Sequence, residues 1–339
     1  MNMQQENIPT TETQIGHQER RGVSDSVPHR FHYRTYGLQL SSQLELPELA
    51  ATPDCSEPDI DILTPEISEV MEDASPNGPW VQVAEERCQL LVEGVARYRI
   101  EQGRRILVDR RVPHAEGRLP VAGDVRLYLL GAALGVLLHQ RYYLPLHVSA
   151  LQTPAGVWAF TGHSGAGKST LGAWLHYTQG WPMVSDDVAV IKPEDEQPIL
   201  YPGPARLKLW KDALAALDID RHGLVRDLTR ADKYHLMLRK GFQADPQPLR
   251  ALVVLERAEE GEAACLEPVT GVAAFKVVMA SLYRPELGKE FNGPARLLHE
   301  SARLADRIGV YRFRRPWSLD EMDTSIEPLL QHIEGTSLS

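Results

Sequence analysis

Eight consecutive residues, Gly162-His163-Ser164-Gly165-Ala166-Gly167-Lys168-Ser169, fit the form G-x-x-x-x-G-K-[ST] in full, and Thr170 follows them. Glycines let a backbone wrap closely enough for successive N–H groups to converge on phosphate oxygens. The start of a following helix adds further donors and the positive end of its dipole. In a loop of this kind the Lys168 ammonium bridges the β- and γ-phosphates, and the Ser169 hydroxyl ligates Mg²⁺. The segment therefore predicts a nucleotide site for ATP with Mg²⁺, built from residues 162–170.

Such a loop serves kinases, GTPases, ATP-driven machines and passive binders alike, so the position of an acid or base decides the chemistry. The sequence holds no [NT]-K-x-D guanine-reading element and no LSGGQ-type element. Two acidic candidates remain. Ser185-Asp186-Asp187 ends an apolar stretch about eighteen residues past Lys168, and Leu252-Val253-Val254-Leu255-Glu256 is an apolar strand closed by an acid. Paired carboxylates beside phosphates divide the labour naturally: one holds Mg²⁺ while the other accepts a proton from an attacking hydroxyl. Consecutive residues of a strand face opposite sides, so both aspartates reach one site only at a strand end or turn. The apolar run Val188 to Ile191 that follows them fits a strand–turn–strand. His147 lies fifteen residues before Gly162, in Leu144-Pro145-Leu146-His147-Val148-Ser149-Ala150. A single histidine in such a run is as compatible with a core position as with a functional one.

The elements that must position these residues are α/β in character. A strand is predicted over Gly156 to Thr161, a helix over Lys168 to Tyr177, and strands near Met183 to Ser185, Val188 to Ile191 and Ala251 to Leu255. Helices follow over Gly271 to Leu282, Ala295 to Arg307 and Leu319 to Gln331, with a strand at Val310 to Phe313. Ahead of them, short β-rich runs between Phe31 and Val108, separated by Gly-containing turns, predict an antiparallel meander. Within it, Pro47 to Pro79 reads as loops around one short strand at Ile60 to Ile62. Asp124 is the expected N-cap of an apolar helix through Gln140 that joins the halves. The organisation read from the chain is a polar disordered tail over 1–30, a β-rich region over 31–123, a connecting helix over 124–143, a P-loop domain over 144–332 and a short tail over 333–339.

At 339 residues, 43% hydrophobic and 24% charged, the composition is that of a globular chain with room for two domains. The apolar run Leu127 to Leu138 is too short for a bilayer span and reads as a buried helix, so no membrane partner is expected. A net charge of −10 argues against a nucleic-acid partner. The three cysteines, Cys55, Cys88 and Cys265, lack metal-ligand spacing and fit reduced thiols. With no signal-peptide core at the polar N-terminus, a cytoplasmic location is expected.

Taken together, Leu146-His147, the GHSGAGKST loop and Val184-Ser185-Asp186-Asp187 resemble, in order and spacing, the catalytic domain of HPr kinase/phosphorylase. There a histidine precedes the loop and a V-A-D-D element follows it. The stretches Tyr201 to Trp210 and Pro248 to Arg257 look like a divergent branch of that family, members of which occur as peptide-modifying kinases in lasso-peptide biosynthesis. The resemblance spans about Leu144 to Leu330. It implies an α/β P-loop kinase domain of the HPr kinase-like and PEP carboxykinase-like type behind a small β-rich domain. It also implies a serine-type hydroxyl acceptor, with Asp186 as general base, Asp187 assisting the metal and His147 orienting groups near the γ-phosphate; Glu256 becomes the end of a structural strand.

The E-[IV]-R-G-[LI]-G signature of the bifunctional enzymes is missing, and Arg206-Leu207-Lys208-Leu209-Trp210 stands at the comparable place. HPr as substrate and phosphorolysis are therefore not implied. Arg206, Lys208 and Lys233 are candidates to neutralise phosphate charge or grip an acidic or C-terminal carboxylate acceptor, Lys233 first among them. The expectation is an ATP- and Mg²⁺-dependent serine kinase acting on a peptide or small protein, with a lasso-peptide precursor the first substrate to test. A homo-oligomer is compatible with this reading. The rival readings are a P-loop ATPase using Glu256, a nucleotide sensor without an acceptor, and a kinase of a small metabolite.

Overall fold

Alternating apolar residues in Phe31–Thr35 and Leu38–Ser42 pair as an antiparallel hairpin. Its two turn residues, Tyr36 and Gly37, both have positive φ, at 54° and 68°. That is the twist-compatible geometry of a two-residue hairpin. The computed structural model that shows this describes residues 29–112, 121–226 and 232–337. Most of the tail expected over 1–30 lies outside the described residues.

The hairpin belongs to a nine-stranded sheet. Its strands from Val81–Ala84 through Arg105–Asp109 form the antiparallel meander that the sequence suggests. Ile60–Leu63 is the short strand expected among the loops of Pro47 to Pro79. It lies between Leu38–Ser42 and Arg105–Asp109 and runs parallel to both. Ile60 and Ile62 share one face of this strand and are fully buried, which secures it in the sheet.

Against this sheet packs one continuous apolar helical segment, Ala122–Tyr128, a π-helical turn at Leu129–Ala133, and Leu134–Gln140. By length and composition Ala122–Gln140 could cross a membrane, but Leu129, Leu130, Leu134 and Leu137 are buried in the protein core. Val121 occupies the N-cap position without a side-chain bond. Asp124 therefore sits in the first turn, where its charge meets the positive end of the helix, and is not the cap expected from the sequence. Val188, Val190 and Leu287 join the same apolar cluster from the C-terminal half. The Tyr36 backbone N–H donates to Pro202 O at 2.8 Å. The two halves thus share a core, and the first hairpin reaches into the second half.

The second half is a mixed α/β structure. Ser149–Thr153 is antiparallel to Gly156–Thr161 on one side and to Met183–Asp186 on the other. Those two strands therefore run in the same direction. Gln247–Arg257 is parallel to Gly156–Thr161, and Gly309–Arg315 is parallel to Gln247–Arg257. Four strands consequently deliver their carboxyl ends to one edge of the sheet, where α/β folds place ligands. The helix Lys168–Gln179 crosses close to the sheet because Gly172 has no side chain. A Cβ there would lie 2.2 Å from Ser149 Oγ.

Several parts of the second half go beyond the elements predicted from the sequence: the strands Ser149–Thr153, Ile199–Tyr201 and Cys265–Pro268, a small sheet of Arg206–Trp210, Lys233–Met237 and Val225–Arg226, and the helices Lys211–Ala216 and Pro285–Asn292. The tail expected from residue 333 is also corrected: Glu327–Ser337 is one helix, held past that boundary by the fully buried Ile333.

Candidate active site

The carboxyl-terminal edge of the large sheet opens into a cavity of about 670 Å³. Register sets its floor. Ser149 pairs with Phe160 on one side and with Asp186 on the other. Asp186 therefore comes level with the last residues of the strand that leads into the glycine loop.

The loop has the backbone that its sequence requires. Gly162, Gly165 and Gly167 have φ of 144°, 89° and 85°. A Cβ on Gly162 would meet Ala166 Cβ at 3.0 Å and Leu255 O at 3.1 Å, so space as well as conformation calls for glycine there. Lys168 begins the helix and is buried. Its ammonium donates to Gly162 O at 2.8 Å and His163 O at 3.1 Å, folding back across the loop. Ser164, Gly165, Ala166, Gly167, Lys168, Ser169 and Thr170 line the cavity. Gly162 and His163 serve it from behind through those carbonyls.

The two aspartates sit in different environments. Asp186 is buried, accepts the Lys208 backbone N–H on Oδ2 at 3.0 Å, and is hydrogen-bonded to the Ser169 side chain. Its Oδ1 is buried without a partner. Burial raises its proton affinity above the ordinary carboxyl range, with the Asp187 charge acting in the same direction. Asp187 has φ 87°, a left-handed conformation that costs a non-glycine residue energy and that turns its side chain out of the strand alternation. Burial would raise its pKa too, but the Lys208 ammonium, in direct contact with Oδ2, and the neighbouring His147 together hold it well below the usual range.

His147 Nε2 lies 3.6 Å from Asp187 Oδ1. Desolvation, reinforced by the Lys168 charge, pulls the imidazole pKa down to about 4, so at neutral pH the ring is neutral. The backbone around it is fixed: the His147 N–H donates to Ser281 O at 2.6 Å and its carbonyl accepts from Thr161 Oγ1 at 3.3 Å.

Lys208 and Lys233 come from neighbouring strands of the small sheet, and both line the cavity. Arg206 does not. It is buried behind Asp187, where its charge lowers the proton affinity of that carboxylate and of the buried Tyr36 phenol. The expectation of a substrate or phosphate contact from Arg206 is corrected accordingly: Arg206 and Lys208, two residues apart, share one face of the strand, but Arg206 at its start is buried short of the cavity and Lys208 reaches it. Glu256 is also away from the cavity, paired with Arg312 at 2.9 Å.

Several cavity residues escaped the sequence reading. Arg315 ends the strand Gly309–Arg315 and Trp317 follows it, and Trp210 ends the strand of Lys208. Tyr283 and Arg284 enter from the turn before Pro285–Asn292, Arg284 with φ 49°. The connecting helix contributes Leu127, Tyr128, Gly131 and Ala132, an apolar wall opposite in character to the charged loop. Tyr283 packs against that helix where Gly135 leaves room; a Cβ there would be 2.6 Å from its ring. His139 of the same helix donates through Nε2 to Tyr283 O at 2.7 Å. The only signal for these residues in the sequence is the cluster of arginines and aromatics in Arg312 to Trp317, more than 140 residues beyond the loop.

Chemically, this edge of the sheet offers a nest of backbone donors, hard oxygen ligands from Ser169 and two aspartates, and four ammonium or imidazole groups, Lys168, Lys208, Lys233 and His147. No known protein-family model and no curated protein matches the sequence. Among solved structures, the Hpr(Ser) kinase/phosphatase from Coxiella burnetii is similar with a TM-score of 0.30 and 12% identity, over 56% of this chain and 93% of that one. A likeness of that size leaves the chemistry to be argued from the residues.

Proposed function

We propose that the protein is a nucleoside-triphosphate-dependent kinase that transfers the γ-phosphate of ATP to a serine-type hydroxyl of a peptide or small protein. The observation that carries this reading is Asp186, a buried carboxylate with raised proton affinity and a free Oδ1, hydrogen-bonded to Ser169 at the mouth of the phosphate loop.

The loop N–H groups and Lys168 bind the phosphates. Asp186 accepts the proton of the acceptor hydroxyl on Oδ1, which aligns that oxygen with the phosphorus. His147, neutral at pH 7, has one ring N–H to donate toward a γ-phosphate oxygen, and Asp187, 3.6 Å from Nε2, orients the ring. Lys208 and Lys233 balance charge at the transferring group. Magnesium suits this donor set, a hydroxyl and carboxylates with room for phosphate oxygens. Ser169 and Asp187 would hold it, and it would supply charge neutralisation. A lasso-peptide precursor is the first acceptor to test.

The Ser169–Asp186 hydrogen bond favours a second assignment of the same reaction, in which Asp186 is the carboxylate paired with Ser169 at the metal and Asp187 serves the acceptor. Asp186→Asn separates the two. As the base, its loss leaves Mg²⁺-dependent ATP binding intact and removes transfer. As the metal partner, its loss weakens Mg²⁺-dependent binding itself. Phosphate release without any acceptor, unaffected by Asp186→Asn, would overturn the kinase reading.

A further inference from the structure

Gly309–Arg315 carries three arginines near its end, and they differ in one respect. Arg312 pairs with Glu256 at 2.9 Å, and Arg314 pairs with Glu267 at 2.6 Å and Glu262 at 3.3 Å. Arg315 points to the other face of the strand, is 4% exposed, and makes no ion pair among the described residues. One nitrogen, Nη1, donates to Pro316 O at 2.9 Å, while Nε is buried without a partner. A Cβ on Gly167 would lie 3.2 Å from Arg315 Nη2. The guanidinium therefore rests against the glycine immediately before Lys168.

A buried cation without a counter-charge is costly, and a fold keeps one where a ligand supplies the anion. Two residues on, Trp317 is 38% exposed and lines the same cavity. Its ring centre lies 5.3 Å from that of His163 in the loop. The Arg257 guanidinium lies 6.0 Å from the same ring. An indole held beside a phosphate loop offers a flat apolar surface to a base, a mode of binding that tolerates any base because each has a π face.

We propose that Arg315 and Trp317 form the seat for the nucleoside side of a bound nucleotide, with Arg315 gripping a phosphate oxygen and Trp317 stacking on the base. This inference rests on the nucleotide reading above and assigns the ligand class as a nucleoside triphosphate, selected by its phosphates and base plane more than by the edge of the base.

Calorimetric titration of the full chain with a non-hydrolysable ATP analogue and Mg²⁺, and separately with inorganic tripolyphosphate, tests it, alongside melting of the ligand-free protein. Arg315→Met should bind both ligands at least about tenfold more weakly, with the ligand-free melting temperature unchanged or raised because an unpaired buried charge has gone. Arg315→Lys, which keeps the charge without the fork, should fold normally and bind both ligands more weakly than the parent. Trp317→Ala should lose about tenfold for the ATP analogue and nothing for tripolyphosphate. Unchanged affinity in Arg315→Met with a lowered melting temperature would reduce Arg315 to a structural residue and overturn the proposal. So would unchanged ATP affinity in Trp317→Ala. A parent protein that binds neither ligand would instead remove the nucleotide reading itself.

Discussion

The Lys208 backbone N–H donates to Asp186 Oδ2 at 3.0 Å, while the ammonium of the same residue contacts Asp187. One residue of the small sheet thus fixes both carboxylates, the first through its backbone and the second through its charge. Only the second link is open to mutation. Lys208→Met should leave Asp186 in place and strip Asp187 of its main counter-charge. The pair is half-buried at the cavity, so breaking it costs on the order of 1–3 kcal/mol, less than for a fully buried pair. Denaturant unfolding should show that loss, and Lys208→Arg should recover part of it.

Asp186→Asn keeps the size and the hydrogen-bond acceptor toward Lys208 but cannot take a proton. Loss of a general base lowers turnover by about 10²–10⁴-fold. Transfer rates measured at saturating ATP should fall by that order. Because burial raises the proton affinity of Asp186, the acid limb of the pH–rate profile should lie above the pH at which an ordinary aspartate titrates.

The fit of the Lys168–Gln179 helix on the sheet gives a test independent of activity. Gly172→Ala would push a methyl group into Ser149 Oγ, at 2.2 Å, and overpacking of this kind costs typically about 1–3 kcal/mol. Ser149 Oγ is buried without a hydrogen-bond partner, so Ser149→Ala alone should be close to neutral. The double variant should recover much of the Gly172→Ala loss. Simple additivity in that cycle would show that the contact is not where the helix is held.

How much of this was legible in the sequence follows the range of the interactions. The loop was legible because its chemistry is local: glycine conformations, a lysine and a hydroxyl within nine residues. Asp186 and Asp187 were legible because a strand end so soon after the loop helix must return beside it. Lys208 and Lys233 could be named as cations, but the pairing that brings them together is between strands more than twenty residues apart. Arg206 shares a strand face with Lys208, and which of the two reaches the cavity depends on how far along the strand the site lies, which the strand's own sequence does not encode. Arg315 and Trp317 depend on two successive parallel pairings, from Gly156–Thr161 to Gln247–Arg257 and on to Gly309–Arg315, which no local pattern encodes. The apolar run of the connecting helix was read correctly as buried, yet its share in the cavity wall was not, since the π turn and the Gly135–Tyr283 contact leave no mark in periodicity.

Stability should also respond to acid through two histidines. Burial depresses both His139 and His147 to about 4. In the unfolded chain each takes up a proton near pH 6.5, before the folded protein does. Their contribution is therefore complete above that pH and is lost as pH falls from about 6.5 toward 4. For the fully buried His139 this amounts to about 3 kcal/mol. Melting temperature should decline across that interval, and His139→Gln should flatten the decline. An unchanged slope in that variant would place the acid sensitivity elsewhere.

The most direct measurement follows the terminal phosphate. The purified protein is incubated with γ-labelled ATP, Mg²⁺ and serine-bearing peptides, lasso-peptide precursors among them, and the labelled atom is located by mass spectrometry. Label on a peptide hydroxyl oxygen, lost in Lys168→Ala and in Asp186→Asn, is the expected result. Label recovered only as free phosphate at the same rate with and without peptide, and insensitive to Asp186→Asn, would contradict it.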